Sequence, residues 1–240
     1  MKIEANLMDF KELNNMVRTS DDVEIIIDNC IGQRYIASGL TGKKITINGT
    51  PGNALGSYLN GCSINVYGNA QDAVGDTMNE GEIIIHGSSG DATGYAMRGG
   101  RIFVEGNVGY RAGIHMKAYE DKIPELVVGG VAGSFLGEYQ AGGKIVILGI
   151  GAEGQLPVGN FCGTGMHGGK IYLRCEELPT DLPVQVVSTS ATEEDLEEIK
   201  PLIKDFCNEF GKDYDKIINS HFYILTPDTK NPYKQLYTHK

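Results

Sequence analysis

The chain has 240 residues, enough to bury a full core, and its formal charge of −10 argues against nucleic acid or an anionic membrane as partner. No apolar run approaches the length of a membrane span, and Met1 to Asn6 has no apolar signal-peptide region, so a cytoplasmic location is expected. The five cysteines, Cys30, Cys62, Cys162, Cys175 and Cys207, are odd in number and contain no CxxC, which argues for free thiols and against a metal or iron–sulfur site made by this chain alone.

In chain order, the first expected element is a short helix. Asp9 with Glu12 reads as a capping box, and Phe10, Leu13 and Val17 give the following residues one apolar face. From residue 23 the pattern changes to a repeat. Gly49, Gly68, Gly87 and Gly106 stand nineteen residues apart, and Gly56, Gly75, Gly94 and Gly113 keep the same step. After five extra residues the register resumes at Gly130, Gly137 and Gly149.

Before each first-column glycine comes a short alternating strand: Ile45 and Ile47, Ile64 and Val66, Ile83 and Ile85, Ile102 and Val104, Leu126 and Val128, Ile145 and Ile147. Nineteen residues leave no room for a crossover helix, so each unit is read as one coil of a right-handed parallel β-helix, an all-β solenoid of about 19 residues per coil. Leu55, Val74, Thr93, Ala112 and Leu136 form a second inward row, and Leu59, Met78, Met97 and Met116 a third that Gln140 breaks. The glycines are placed at corners, where φ > 0 and close approach both favour a residue without Cβ. The exposed ladders, with Thr46, Asn65, Phe103 and Val146, are taken to face solvent, and so is His86. Beyond residue 190, Ser190 with Glu193 reads as the start of an acidic helix carrying Leu196, Ile199, Ile203, Phe206 and Phe210, kinked or restarted at Pro201 and closed by Gly211. The division expected is 1–22 as an N-terminal helical cap, 23–189 as the repeat, and 190–240 as a longer helical cap and tail, both caps acting as lids on open strand edges. A further strand is expected around Phe222 to Leu225.

Gly149-Ile-Gly151-Ala-Glu-Gly154 matches G-x-G-x-x-G, yet Gln155 to Gly169 holds one proline and five glycines and cannot supply the helix that a dinucleotide site needs. Asn53, Asp72 and Asp91 form a polar ladder suited to bonding turn backbone rather than calcium. The candidate contact residues sit where the repeat departs from itself. Arg111 replaces the alanines Ala54, Ala73 and Ala92, and His115, Lys117 and Tyr119 follow at the first insertion, Lys117 to Pro124. Phe161 and His167 lie in the second departure, Gly151 to Gly169. A docking surface for another protein is favoured there over a small-molecule pocket.

The repeated G-x-x-G-x-x-x-G, as Gly49-Gly52-Gly56, Gly87-Gly90-Gly94, Gly106-Gly109-Gly113 and Gly130-Gly133-Gly137, with the tail Asn231-Pro-Tyr-Lys-Gln-Leu-Tyr237, resembles the C-terminal domain of the glutamate synthase large subunit, in a form encoded as a separate short chain. The resemblance implies a non-catalytic scaffold in a complex making glutamate from glutamine and 2-oxoglutarate. It places no catalytic, cofactor or metal residue on this chain. FMN and an iron–sulfur cluster would lie on a synthase subunit, and glutamine hydrolysis on an amidotransferase subunit, both as partners. The C subunit of formylmethanofuran dehydrogenase is similar and is the alternative; an autonomous polysaccharide-active β-helix enzyme is the reading from another class. Self-association of the isolated chain through an uncovered end stays open.

Overall fold

The computed structural model describes residues 1–228, so the tail Asn231 to Tyr237 lies outside the described residues. The structure is mostly β, with a few helices. Its strands are β1 (Lys2–Glu4), β2 (Glu24–Ile31), β3 (Lys44–Thr50), β4 (Asn60–Tyr67), β5 (Glu80–Ile85), β6 (Arg101–Val104), β7 (Glu125–Val128), β8 (Ala141–Ile147), β9 (Gly168–Arg174), β10 (Val186–Ser190) and β11 (Phe222–Pro227). The helices are α1 (Phe10–Thr19), α2 (Glu193–Glu197), α3 (Lys200–Phe210) and α4 (Tyr214–Ile218). All strands join one mixed sheet ordered β1-β2-β3-β4-β5-β6-β7-β8-β9-β11-β10, parallel through β9 and antiparallel in the last two pairings.

Successive repeats are tied to each other in three places. The strands form one row, in which Ile45, Ile64, Ile83, Ile102, Leu126, Ile145 and Ile171 are register partners and all are buried. In a second row Gly56 N donates to Ile36 O, Gly75 N to Leu55 O, Gly94 N to Val74 O and Gly113 N to Thr93 O, at 2.7–2.8 Å. In a third, Asn79 N donates to Leu59 O, Arg98 N to Met78 O, Lys117 N to Met97 O and Ala141 N to Met116 O, at 2.8–2.9 Å. The side chains Leu55, Val74, Thr93, Ala112 and Leu136, and Leu59, Met78, Met97, Met116 and Gln140, are all fully buried, as the spacing predicts. The apolar members of these rows belong to one core cluster of buried side chains.

The two glycine columns serve different ends. At Gly75 φ is +66°, and a Cβ would meet Ile102 Cδ1 at 2.4 Å, so the missing side chain makes room for a core isoleucine. At Gly87 a Cβ would lie 2.6 Å from Gly68 O, the same column one repeat earlier, and the requirement is close approach with no positive φ. Both reasons expected for the columns are present, positive φ at Gly75 and close approach of equivalent backbones at Gly87.

The second departure is shorter than its composition suggests. Ala132 bridges Val158 in parallel, Gly163 N donates to Leu136 O at 2.8 Å, and Cys162 and Met166 are buried as further members of the second and third rows. The repeat has therefore resumed by Val158. The extra residues form a turn between Gly149 and Pro157, with no helix behind the G-x-G-x-x-G.

Three further expectations change. Asp9 caps α1 by accepting from Lys11 N at 2.8 Å, not through a reciprocal pair with Glu12. Ser190 ends β10 opposite Tyr223, and the helix cap passes to Thr192, whose capping box is with Asp195. Pro201 restarts the helix as α3, and Gly211 closes it at φ 61°, as expected. The largest change concerns α2 to α4. They do not act as a lid on the end of the stack; β11 and β10 extend the sheet there. The helices instead cover the outer face of the sheet. The mid-strand register runs Thr46, Asn65, Ile84, Phe103, Val127, Val146 and Tyr172, polar at first and apolar from Ile84 onward. The apolar half is buried with Ile199, Ile203, Phe206, Ile217 and Phe222 in a second core, so Phe103 and Val146 do not face solvent. His86 is covered too, stacked on Tyr67 at 4.4 Å and met by the edge of Phe210 at 5.1 Å. Only α1 keeps to one end of the first core, through Leu13 and Val17.

Charged side chains rim the second core. Glu82, Arg101, Glu125 and Lys144 alternate in sign across β5 to β8, a favourable cross-strand order. Arg101 reaches Asp205 of α3 at 2.8 Å, and Lys212 reaches Glu105 at 2.7 Å.

Replacing Phe206, fully buried against Phe103 at 5.8 Å, by alanine is expected to cost about 3–5 kcal/mol in urea unfolding. A loss below about 1 kcal/mol would show that the helical layer contributes little to the fold. The Asp195 carboxyl is held below its ordinary range first by the N–H of Thr192 and then by its hydroxyl. A depressed folded pKa contributes stability above the ordinary carboxylate range and loses it as pH falls through the depressed value. Asp195→Asn should therefore destabilise by about 0.5–1 kcal/mol at neutral pH, with the gap to wild type closing as the solution is acidified. A gap that stays constant in acid would assign the loss to something other than this charge.

Candidate interaction surface

Two columns of left-handed residues run along one edge of the stack. The first holds Tyr35, Ala54, Ala73, Ala92, Arg111, Phe135 and Phe161, with φ from 56° to 64°. The second holds Tyr58, Thr77, Ala96, His115 and Tyr139, with φ from 48° to 56°. The amides of these columns donate to the next repeat, Arg111 N to Ser134 O at 3.0 Å and His115 N to Glu138 O at 2.9 Å among them, except that Phe161 N donates to Asp181 Oδ2 at 2.9 Å. Non-glycine residues rarely adopt this conformation, and here inter-repeat bonding imposes it. Small residues occupy the columns in the middle repeats, and large ones take over from Arg111.

The result is a cluster of rings around one ion pair. Arg111 Nε donates to Glu138 Oε2 at 2.8 Å, and its guanidinium lies 4.9 Å from the Tyr110 ring and 5.3 Å from Phe135. Phe135 in turn packs on Tyr110 at 5.2 Å and on Phe161 at 5.0 Å. Beside it His115 stacks on Tyr139 at 5.2 Å with 10° between planes, and Tyr95 meets His115 edge-on at 5.9 Å. Glu138 is nearly buried, whereas Phe161, Tyr139 and Tyr110 are 46, 44 and 37% exposed. Exposed rings already held in place lose little entropy on contact, which suits a protein interface.

Arg111, His115 and Phe161 are thus brought together. Lys117 and His167 lie one turn further, in the third row of inter-repeat bonds, where Lys117 N donates to Met97 O and His167 N to Gln140 O. His167 Nδ1 is 3.2 Å from Gly165 O. Tyr119 stands in a tight turn of its own, exchanging backbone bonds with Lys122 at 3.1 and 3.0 Å, and belongs to the insertion rather than to the ring cluster. Tyr95, Tyr110, Phe135, Glu138 and Tyr139 are members that sequence reasoning missed. The signal was available for Tyr110 and Phe135, which stand where earlier repeats carry Asp91 and Ala92. The polar ladder behaves as expected, Asp72 accepting from Asp91 N at 2.9 Å and Asp91 from Tyr110 N at 2.7 Å.

A family model for the GXGXG motif matches residues 4–229. The chain belongs to this family, that of the C-terminal domain of the glutamate synthase alpha subunit. It is also similar to a protein of Methanocaldococcus jannaschii named Uncharacterized protein MJ1350, at 47% identity over 98% of this chain and 95% of that one. No helix among the described residues is long and apolar enough to cross a membrane.

The thiol next to this surface is buried. Cys162, next to Phe161, is pushed up to about 12, first by desolvation and then by the charge of Asp181. Cys30 and Cys175 are pushed up to about 11 mainly by burial. Raised thiol pKa values leave little thiolate near neutrality. Native protein should therefore react slowly with iodoacetamide at neutral pH, the half-buried Cys175 ahead of Cys162, and all five thiols should react at the free-cysteine rate in denaturant. Rapid native labelling of Cys162 would contradict the burial described.

Proposed function

We propose that this chain is a non-catalytic scaffold subunit of a glutamate synthase-type complex, in which glutamine supplies nitrogen for the reductive amination of 2-oxoglutarate. In this reading the GXGXG repeats wind as a right-handed parallel β-helix and brace an amidotransferase subunit against a synthase subunit that carries FMN and an iron–sulfur cluster, in the cytoplasm. The observation that carries the proposal is the three-fold tie between repeats: strand ladder and two further hydrogen-bonded rows around a filled interior. A body bonded on every side at one strand spacing, about 4.8 Å per repeat, resists bending and holds two neighbours at a set distance. Its interior is occupied by aliphatic and methionine side chains, so its work is assigned to the outer surface, and the ring cluster around Arg111 is the face that meets a partner.

Co-expression with the amidotransferase and flavin subunits tests this. The tagged wild-type chain is expected to bring both down, and a variant with Arg111, His115 and Phe161 changed to alanine is expected to lose at least one while remaining folded, with a lower melting temperature because the nearly buried Glu138 has lost its partner. Failure of the wild type to capture either subunit would overturn the assignment. Unimpaired capture by the folded variant would instead move the interface elsewhere on the surface.

A further inference from the structure

The sheet ends differently at its two edges. At one, β1 is three residues long and charged, with Lys2 paired to Asp28 at 2.8 Å and Glu4 beside it. Short length and charge are the usual means of keeping an edge from recruiting another strand. At the other edge β10 reads Val186-Val187-Ser188-Thr189-Ser190, with no charge, no proline and no register shift against β11.

The hydrogen-bond phase shows which groups of β10 look outward. Gln185 O accepts from Asp228 N and Ala191 N donates to Phe222 O, both at 2.8 Å. In the register Val186↔Pro227, this makes residues 185, 187, 189 and 191 the bonded partners of β11. The N–H and C=O of Ser188 and Ser190 therefore point away from β11, with the C=O of Val186, to a side where no strand lies among the described residues. The Val186 N–H is already used by Pro183 O at 2.9 Å.

We propose that β10 is the pairing edge of a two-fold dimer, in which it lies antiparallel to β10 of a second copy with Ser188 facing Ser188 on the axis. The sequence of the edge suits itself in this register. Val186 falls opposite Ser190 of the second copy, so every pairing at an outward position uses groups that have no backbone partner among the described residues, apart from the Val186 N–H. Val187, 43% exposed, falls opposite Thr189, a β-branched pair. No like charges are opposed within the strand. The charged β1 edge does not offer a matching surface for head-to-tail growth, so association closes at two copies. Each chain carries −10, and Glu193, Glu194 and Asp195 open the helix just beyond β10, so the copies repel at long range. Salt screens that repulsion, and the dimer tightens as ionic strength rises. This inference does not rest on the glutamate synthase reading.

Sedimentation velocity on the full chain, as a concentration series at low and moderate salt, gives the test. Wild type is expected to move toward twice the monomer mass with concentration, more readily at the higher salt. Position 188 meets itself on the axis, so Ser188→Lys alone and Ser188→Glu alone should each be monomeric, while a one-to-one mixture of the two should regain the dimer mass. Ser188→Pro, which removes an outward N–H without touching the bonds to β11, should also be monomeric with an unchanged far-ultraviolet spectrum. If that variant unfolds, the charge pair still decides the matter. A wild type that stays monomeric throughout, or dimers indifferent to both charged variants, would overturn the proposal.

Discussion

Successive repeats of this chain are bonded to one another at the strands and in two further rows, and at the first glycine column equivalent backbones come too close for a Cβ. Gly68 stacks on Gly49 O, with a Cβ position only 2.4 Å from it, and Gly87 stacks on Gly68 in the same way. An alanine at either site would push two repeats apart at a corner and break bonds in the adjacent rows, so the constraint acts on the stack and not on a single turn. The buried rows follow from it. Once repeats are held in register, Leu55 must sit beneath Val74, and Met78 beneath Met97. A fully buried Thr93 is tolerated because its hydroxyl has partners in Ser89 Oγ at 2.7 Å and Gly90 O at 3.2 Å.

The same constraint decides where the repeat can be interrupted. The first insertion is absorbed between the buried Met116 and the strand that carries Leu126, as a turn closed by Tyr119 and Lys122, with Lys122 paired to Glu80 at 2.8 Å. The second is absorbed between Gly149 and Pro157, after which Val158, Cys162 and Met166 resume the rows. Both lie at corners, where extra chain loops outward without displacing a rung. Long loops add little closure entropy with each added residue, so such interruptions are cheap once both flanks are in register.

What could be read from the sequence was what repeats. Strand positions, the second and third inward rows, the restart at Pro201, the stop at Gly211 and the strand near Phe222 depend on local pattern, and the structure has them. The positions of α2 to α4 depend on a face whose character changes along the stack. Thr46 and Asn65 suggest a wet surface, and the shift to Ile84, Phe103, Val127, Val146 and Tyr172 is visible only when equivalent positions are compared past the fourth strand. That shift is the sequence mark of a covering helix, and Ile203 and Phe206 are its complement. The contact residues were legible one by one as departures from the repeat. Their grouping was not, because Arg111 and Phe161 are fifty residues apart and meet through Phe135 only after five extra residues in one repeat and a longer turn in another have been discounted.

The division of the surface has a physical consequence for function. One face of the sheet is closed by α3, tied down by Arg101 to Asp205 and Lys212 to Glu105, and β5 to β9 are therefore buried on both sides. Parallel strands are normally found in that condition. The edge around Arg111 is different: its backbone is fully bonded, but its side chains are rings held at fixed angles with nearly half of Phe161 and Tyr139 left to solvent. Ordering cost there has been met by folding, since Phe135 packs against both Tyr110 and Phe161 and Glu138 holds the guanidinium. In the proposed scaffold role, a partner covering such a face would gain apolar contact without having to freeze it first.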